Sequence, residues 1–278
     1  MNRVSRPVKF WTLTVLGGAA LLVYLFATAP AAIGSEASAK NTMSTQEALR
    51  LLAMENDITR TLFTKEIVGK GKAQGLKFDE AWADKDVIAG PLPALFLRGV
   101  ADELAKSDVP IGLFLGSDFP IESSNRFKDR QWDEFQAMRE DLLPRHYTDD
   151  VTGENVSMFP DFASAGPCVS CHNEHERTSK SDWQLGDLMG ATTWSYPSDS
   201  VTTDEFLAML GEYRKGVEVV WSQYLAELEQ LEPEMQPHVG EIWPSEGLFI
   251  PGHAALRDSI DRMANGALFL NLLNHTAL

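Results

Sequence analysis

The chain has 278 residues, of which 44% are hydrophobic and 23% charged, so it is long and apolar enough to bury a core and is not disordered throughout. Its 24 Lys+Arg against 40 Asp+Glu leave a net charge of −16, a surface that repels phosphate backbones and argues against nucleic acid as a partner. The two cysteines, Cys168 and Cys171, are too few for a disulfide scaffold or for a four-thiolate zinc or iron–sulfur site within one chain.

Arg3, Arg6 and Lys9 precede an uncharged apolar run from Phe10 to Ala29. A helix of about 20 such residues is what a bilayer crossing needs. Cations before the run and an acidic chain after it orient the body outside the cytoplasm. Residues 1–29 therefore read as a signal anchor in the inner membrane. Small-residue stretches at Ala27–Ala29 and Ala37–Ala39 keep open a cleaved signal peptide and a soluble periplasmic product.

Residues 30–43 read as a linker. Ser44 with Glu47 has the spacing of a capping box. Leu51, Ile58, Leu62 and Val68 predict a helix ending near Gly69 or Gly71. Pro91-Leu92-Pro93 breaks the chain, and Ala94–Leu104 follows as a helix with Phe96, Val100 and Leu104 on one stripe. Val109–Leu115 reads as a strand. Arg130–Leu143 reads as a helix, with Trp132, Phe135, Met138 and Leu142 on one face. Residues 145–160 suit a hairpin turning at Asp149–Glu154, and Gly190–Tyr196 suits a strand. Together these give an α+β class, helices around a few antiparallel strands.

A second capping box, Thr202 with Glu205, opens a long stripe of Phe206, Leu210, Tyr213, Val217, Val220, Tyr224, Leu228 and Leu231. The stripe suits packing on its own domain first, and a protein partner or a homodimer second. Residues 232–253 are rich in Pro and Gly and read as a loop. Leu256, Ile260, Met263 and Leu270 predict a terminal helix, whose apolar end, Ala267–Leu273, is too short to span a bilayer. The body divides into residues 44–200 and a helical extension, 201–278.

One motif carries chemistry. Cys168-Val169-Ser170-Cys171-His172 is the C-x-x-C-H pattern of covalent c-type haem attachment. Two thiols at this spacing reach the two vinyl groups on one edge of the porphyrin, and the next residue, His172, reaches the iron as proximal ligand. Competing readings are a zinc site using Cys168, Cys171, His172 and His175, a redox dithiol, and a plain disulfide. The export segment favours haem, which is attached after export. No catalytic constellation is visible, so an enzyme is not expected.

Several stretches resemble the bacterial haem-binding PAS-like sensor domain found ahead of many histidine kinases and cyclases. They are Gly90–Phe96, Ser117–Pro120 with Asn125, Asp133–Phe135, Cys168–His172 and Gly186–Ala191. The resemblance covers about residues 45–198. It implies a PAS-like antiparallel sheet with flanking helices, one haem c, and redox or gas sensing outside the cytoplasm. Some members of that family use a cysteine as second axial ligand, and no third cysteine exists here. The chain carries no kinase or cyclase, so signalling requires a partner. The alternative is an electron-transfer subunit of a respiratory or photosynthetic membrane complex.

The second axial ligand is open. Leu92–Leu104 contains no His, Met or Cys, so the distal site is expected to be empty, water-bound or held by a methionine. Met54, Met158, Met189 and His146 are the candidates. His175 is too near His172 to reach the opposite ring face and reads as a surface residue. His238, His253 and His275 read as structural or exposed. Arg98 and Arg126 are candidates for pairing with haem propionates.

Overall fold

The computed structural model describes residues 42–244 and 247–276, with side chains through residue 266. The apolar run Phe10–Ala29 and the linker up to residue 41 lie outside them. Among the described residues no helix is long and apolar enough to cross a membrane. From Met43 onward the chain forms one compact unit.

After a short strand, β1 (Thr42–Ser44), helix α1 runs over Thr45–Leu62. Ser44 caps it by accepting the Glu47 backbone N–H. The helix does not stop at the first glycine. It widens into a π-helical segment, Phe63–Gly69, and closes with one further turn, α2 (Lys70–Ala73). Gly75, at φ 100°, then turns the chain in a conformation that costs a side-chain-bearing residue strain. The buried face also differs from the expected stripe. Leu51 and Ile58 are half-buried, while Leu52, Glu55, Asn56 and Thr59 point inward. The polar residues are tolerated there because Arg214 and Tyr213 meet Glu55 and Asn56.

The two-residue strands β2 (Phe78–Asp79) and β3 (Gly90–Pro91) pair in parallel. Helix α3 spans Pro93–Leu104, with proline in its first turn, and Phe96, Val100 and Leu104 are fully buried as the stripe predicts. The main sheet has four strands in the order β4 (Gly112–Gly116), β7 (Leu188–Tyr196), β6 (Asn155–Phe162), β5 (Arg145–Thr148), all neighbours antiparallel. The expected hairpin is β5–β6. Its turn is held by the Asp149 carboxylate, which accepts the N–H groups of Val151 and Thr152. Helix α4 (Asp129–Asp141) buries Phe135 and Met138 against one face of the sheet. Trp132 and Leu142 do not join them. They are 47% and 49% exposed, and Leu142 takes the left-handed conformation that ends the helix.

Helix α5 (Gly166–Glu174) lies between β6 and β7. Strand β8 (Ser200–Thr202) leads into α6 (Thr203–Leu228), where Thr202 and Glu205 form a complete capping box. Tyr213, Val217, Val220, Tyr224 and Leu228 are buried, with Phe206, Leu210 and Leu231 packed at the margin. That stripe faces its own core, shared with α1, α3 and the sheet residues Trp194 and Tyr196. The Pro/Gly-rich stretch contains a short parallel pair, β9 (His238–Gly240) with β10 (Phe249–Pro251). Helix α7 (His253–Thr276) buries Leu256 and Ile260 in the same core, whereas Met263 is exposed. The side chain of Leu270 lies outside the described residues.

The class is therefore mixed α+β built on a small antiparallel sheet. The opposite faces of the sheet carry different cores. Leu113, Leu115, Phe159 and Trp194 face α1, α3 and α6, while Phe114, Met158 and Ala191 face α4. This alternation is what a sheet covered on both sides requires.

Candidate functional site

Helix α5 carries the whole C-x-x-C-H motif. Gly166 and Pro167 occupy its first turn, where the missing proline N–H costs nothing, and Ala165 enters extended at φ −149°. Helical spacing places Cys171 and His172 one turn beyond Cys168, so both thiols and the imidazole share a face. The thiols are free and half-buried. Burial, followed by the nearby Glu80 carboxylate, pushes the Cys171 thiol up, which keeps it protonated at neutral pH.

His172 is held by its backbone, whose carbonyl accepts the Thr178 hydroxyl at 2.7 Å. Its Nδ1 is buried without a hydrogen-bond partner. Burial is also the first cause that lowers its basicity, so the ring is a neutral imidazole, the form that ligates a metal. Two free thiols and a neutral imidazole on one helix, with Cys168 also packed in the adjoining wall, are donor types that could hold a covalent haem.

The wall beside the motif is apolar. Cys168 and Val169 pack against Ala163, Trp183, Met189 and Phe119. Trp183 is tied to α5 through Asn173, and its indole N–H is buried without an acceptor. Lys180 Nζ lies 4.6 Å above its ring. Beyond this wall, Arg60 of α1 pairs with Asp161 at the end of β6 at 2.6 Å.

His175 is not the surface residue the sequence suggests. Its side chain is 14% exposed, with Nε2 facing Glu80 at 2.7 Å, while Nδ1 accepts the Arg177 N–H at 3.0 Å. Both nitrogens are thus occupied. Arg177 bridges Glu80 and Glu122 at 3.2 and 2.9 Å, closing the C-terminal end of the motif helix onto two distant loops. Among the described residues no three His, Cys, Asp or Glu side chains gather to hold a metal ion, so the four donors named for zinc do not converge.

The remaining candidates are dispersed. His146 is exposed on edge strand β5, on the sheet face of Phe159, with Nδ1 2.9 Å from Ser157 Oγ. Met158 is fully buried against α4, in a cluster with Phe127 and Phe135. Met54 is half-buried on α1 and is not part of the cluster at the motif. Met189 is part of it. Arg126 is exposed and donates to the Asp118 carbonyl at 2.6 Å, one residue before Phe119. Arg98 lies on α3, whose buried face joins the main core. His253 bonds Ser222, and His238 packs on Phe249. The side chain of His275 lies outside the described residues.

Sequence reasoning missed Asn173, Trp183, Arg60 and Asp161. Asn173 directly follows the motif, and Trp183 is the lone large aromatic in a polar stretch, the signal by which it could have been found. It also missed a groove between α1, α6 and α7, lined by Glu55, Arg214, Glu218, Arg257 and Asp261. Its charges are matched internally, Glu55 with Arg214, Arg214 with Asp261 and Glu218 with Arg257.

Comparison with known protein families, curated proteins and solved structures finds no match for this chain.

Proposed function

We propose that this chain is a c-type haem protein facing the periplasm or exterior, tethered by Phe10–Ala29, whose PAS-like domain senses redox state or a small gas. The observation that carries the reading is the donor set on α5, where Cys168 and Cys171 are free thiols and His172 presents a buried, unpartnered Nδ1. The sheet order, with β4 beside β7, supports the PAS-like assignment. The neighbouring alternatives are weaker. A redox dithiol is expected in a βαβ setting, and α5 instead connects the two antiparallel strands β6 and β7.

In this reading each thiol adds across one vinyl group, its sulfur bonding one carbon and its proton passing to the other, so no oxidant is consumed. His172 would hold the iron. Bound there, haem supplies a one-electron couple and a coordination position that a diatomic gas can take. The chain's own contribution is to present both free thiols on one helix, to hold the His172 backbone through the Thr178 hydroxyl, and to cover one edge of the site with Trp183, Met189 and Phe119.

The test is a haem stain of the denatured full chain, produced with a c-type haem maturation system, together with a pyridine haemochrome spectrum. Covalent haem is expected. Cys168→Ala and Cys171→Ala should each leave a single thioether, and the double change should abolish retention through denaturation. A wild-type chain without covalent haem would end this reading.

A further inference from the structure

We infer that the thioether of Met189 is the second axial ligand of the haem iron held by His172, an assignment that rests on the c-type haem reading. Two independent observations point to this residue. The first is the register of the sheet. Asp161 pairs with Gly190 and Phe162 with Leu188, so Met189 is an extra residue of β7 with nothing opposite it. Such a bulge re-aims one side chain out of the alternation, and bulges concentrate beside functional sites. Here the alternation is visibly broken. Leu188 and Ala191 pack toward α4, while Met189 turns into the cluster at the motif. Its carbonyl accepts the Ser117 hydroxyl, which anchors the bulge to the loop after β4.

The second observation is location. Met189 is 9% exposed and packs in the cluster that contains Cys168, Val169, Trp183 and Phe119. It is the methionine of that cluster. The other candidates, Met54 included, lie outside that cluster. Met158 and Met138 fill the core under α4, Met209 lies in the main core, and both nitrogens of His175 are occupied. His146 Nδ1 is bonded to Ser157 on the far edge strand of the sheet.

The chemistry suits a sensor. A thioether is a neutral, soft donor that favours ferrous over ferric iron and raises the potential relative to a second imidazole. It is also displaceable, so carbon monoxide or nitric oxide can compete for its position when the iron is reduced.

The experiment uses the full haem-loaded chain and Met189→Leu, which keeps the packing volume and removes the sulfur. Wild type should show the sulfur-to-iron charge-transfer band in the ferric spectrum and a strongly upfield-shifted S-methyl resonance by NMR in the ferrous state. Met189→Leu should lose both, lower the potential and bind carbon monoxide faster, with its haemochrome unchanged. Both signatures persisting in Met189→Leu would overturn the assignment, as would their absence from a wild-type chain that carries covalent haem. A wild-type chain lacking any haemochrome overturns the haem reading, and this one with it.

Discussion

Asn173 and Trp183 hold each other by two hydrogen bonds: the Trp183 backbone N–H donates to Asn173 Oδ1 at 2.8 Å, and Asn173 Nδ2 donates to the Trp183 carbonyl at 3.0 Å. The side-chain amide thus does what a neighbouring strand would do for one residue. It pins the loop after the motif helix back onto that helix and seats the indole in the apolar wall beside Cys168.

Asn173→Ala should free this loop. Two part-buried hydrogen bonds at about 0.5–1.5 kcal/mol each predict a loss of ~1–3 kcal/mol, concentrated locally rather than spread over the fold. Limited proteolysis should show faster cleavage between His175 and Asp187, while the far end of the sheet stays protected in hydrogen exchange. Unchanged cleavage kinetics would show that the pairing holds nothing in place.

Gly190 and Gly116 face each other where β7 meets β4, and a Cβ on Gly190 would collide with the Gly116 carbonyl oxygen. A backbone atom in a paired strand cannot step aside as a flexible side chain can. Gly190→Ala should therefore destabilise by about 1–3 kcal/mol, the usual cost of overpacking. Gly211 is the opposite case. It lies within α6 with open space around its Cα, so Gly211→Ala should stabilise by about 0.5–1 kcal/mol through helix propensity alone. Urea midpoints of the two variants should move in opposite directions.

Glu55 is 5% exposed and takes two hydrogen bonds from Arg214, which also reaches Asp261 at 2.9 Å. Arg214→Met strips the buried carboxylate of its counter-charge. The expected loss is roughly 2–3 kcal/mol, less than for a wholly buried pair because the arginine side chain is 38% exposed and partly screened by water. Adding Glu55→Gln should recover much of that loss, which a double-mutant cycle by chemical denaturation measures directly.

The same pair explains where sequence periodicity misreads α1. Leu51 and Ile58 look like its buried stripe by type, yet Glu55, Asn56 and Thr59 take the inward positions because α6 supplies partners some 160 residues away in the chain. No local pattern contains that information. Elements whose burial is decided locally were legible: the Thr202–Glu205 capping box, the Phe96–Val100–Leu104 stripe and the turn at Asp149 all stand as their residues imply. The motif was legible because its spacing is chemical. Its wall was legible only in Met189, one of four candidates with nothing to rank them, because Trp183 and Met189 reach it through a folded-back loop and a strand bulge, neither of which leaves a periodic trace.

His146 gives the fold a signed pH dependence. Burial of part of the ring holds its basicity below the ordinary histidine value, while Nδ1 lies 2.9 Å from Ser157 Oγ and the ring meets Phe159 edge-on at 6.0 Å. The folded state therefore prefers the neutral ring. As pH falls past the unfolded value of about 6.5, the unfolded chain takes up a proton before the folded one, and stability declines until the folded ring protonates as well. Above that window the neutral ring carries no penalty. His146→Gln keeps a polar group opposite Ser157 and removes the titration, so its urea midpoint should fall less than that of wild type between pH 7.5 and the acid side of the window. Equal losses in the two proteins would assign the acid sensitivity of this fold to its carboxylates instead.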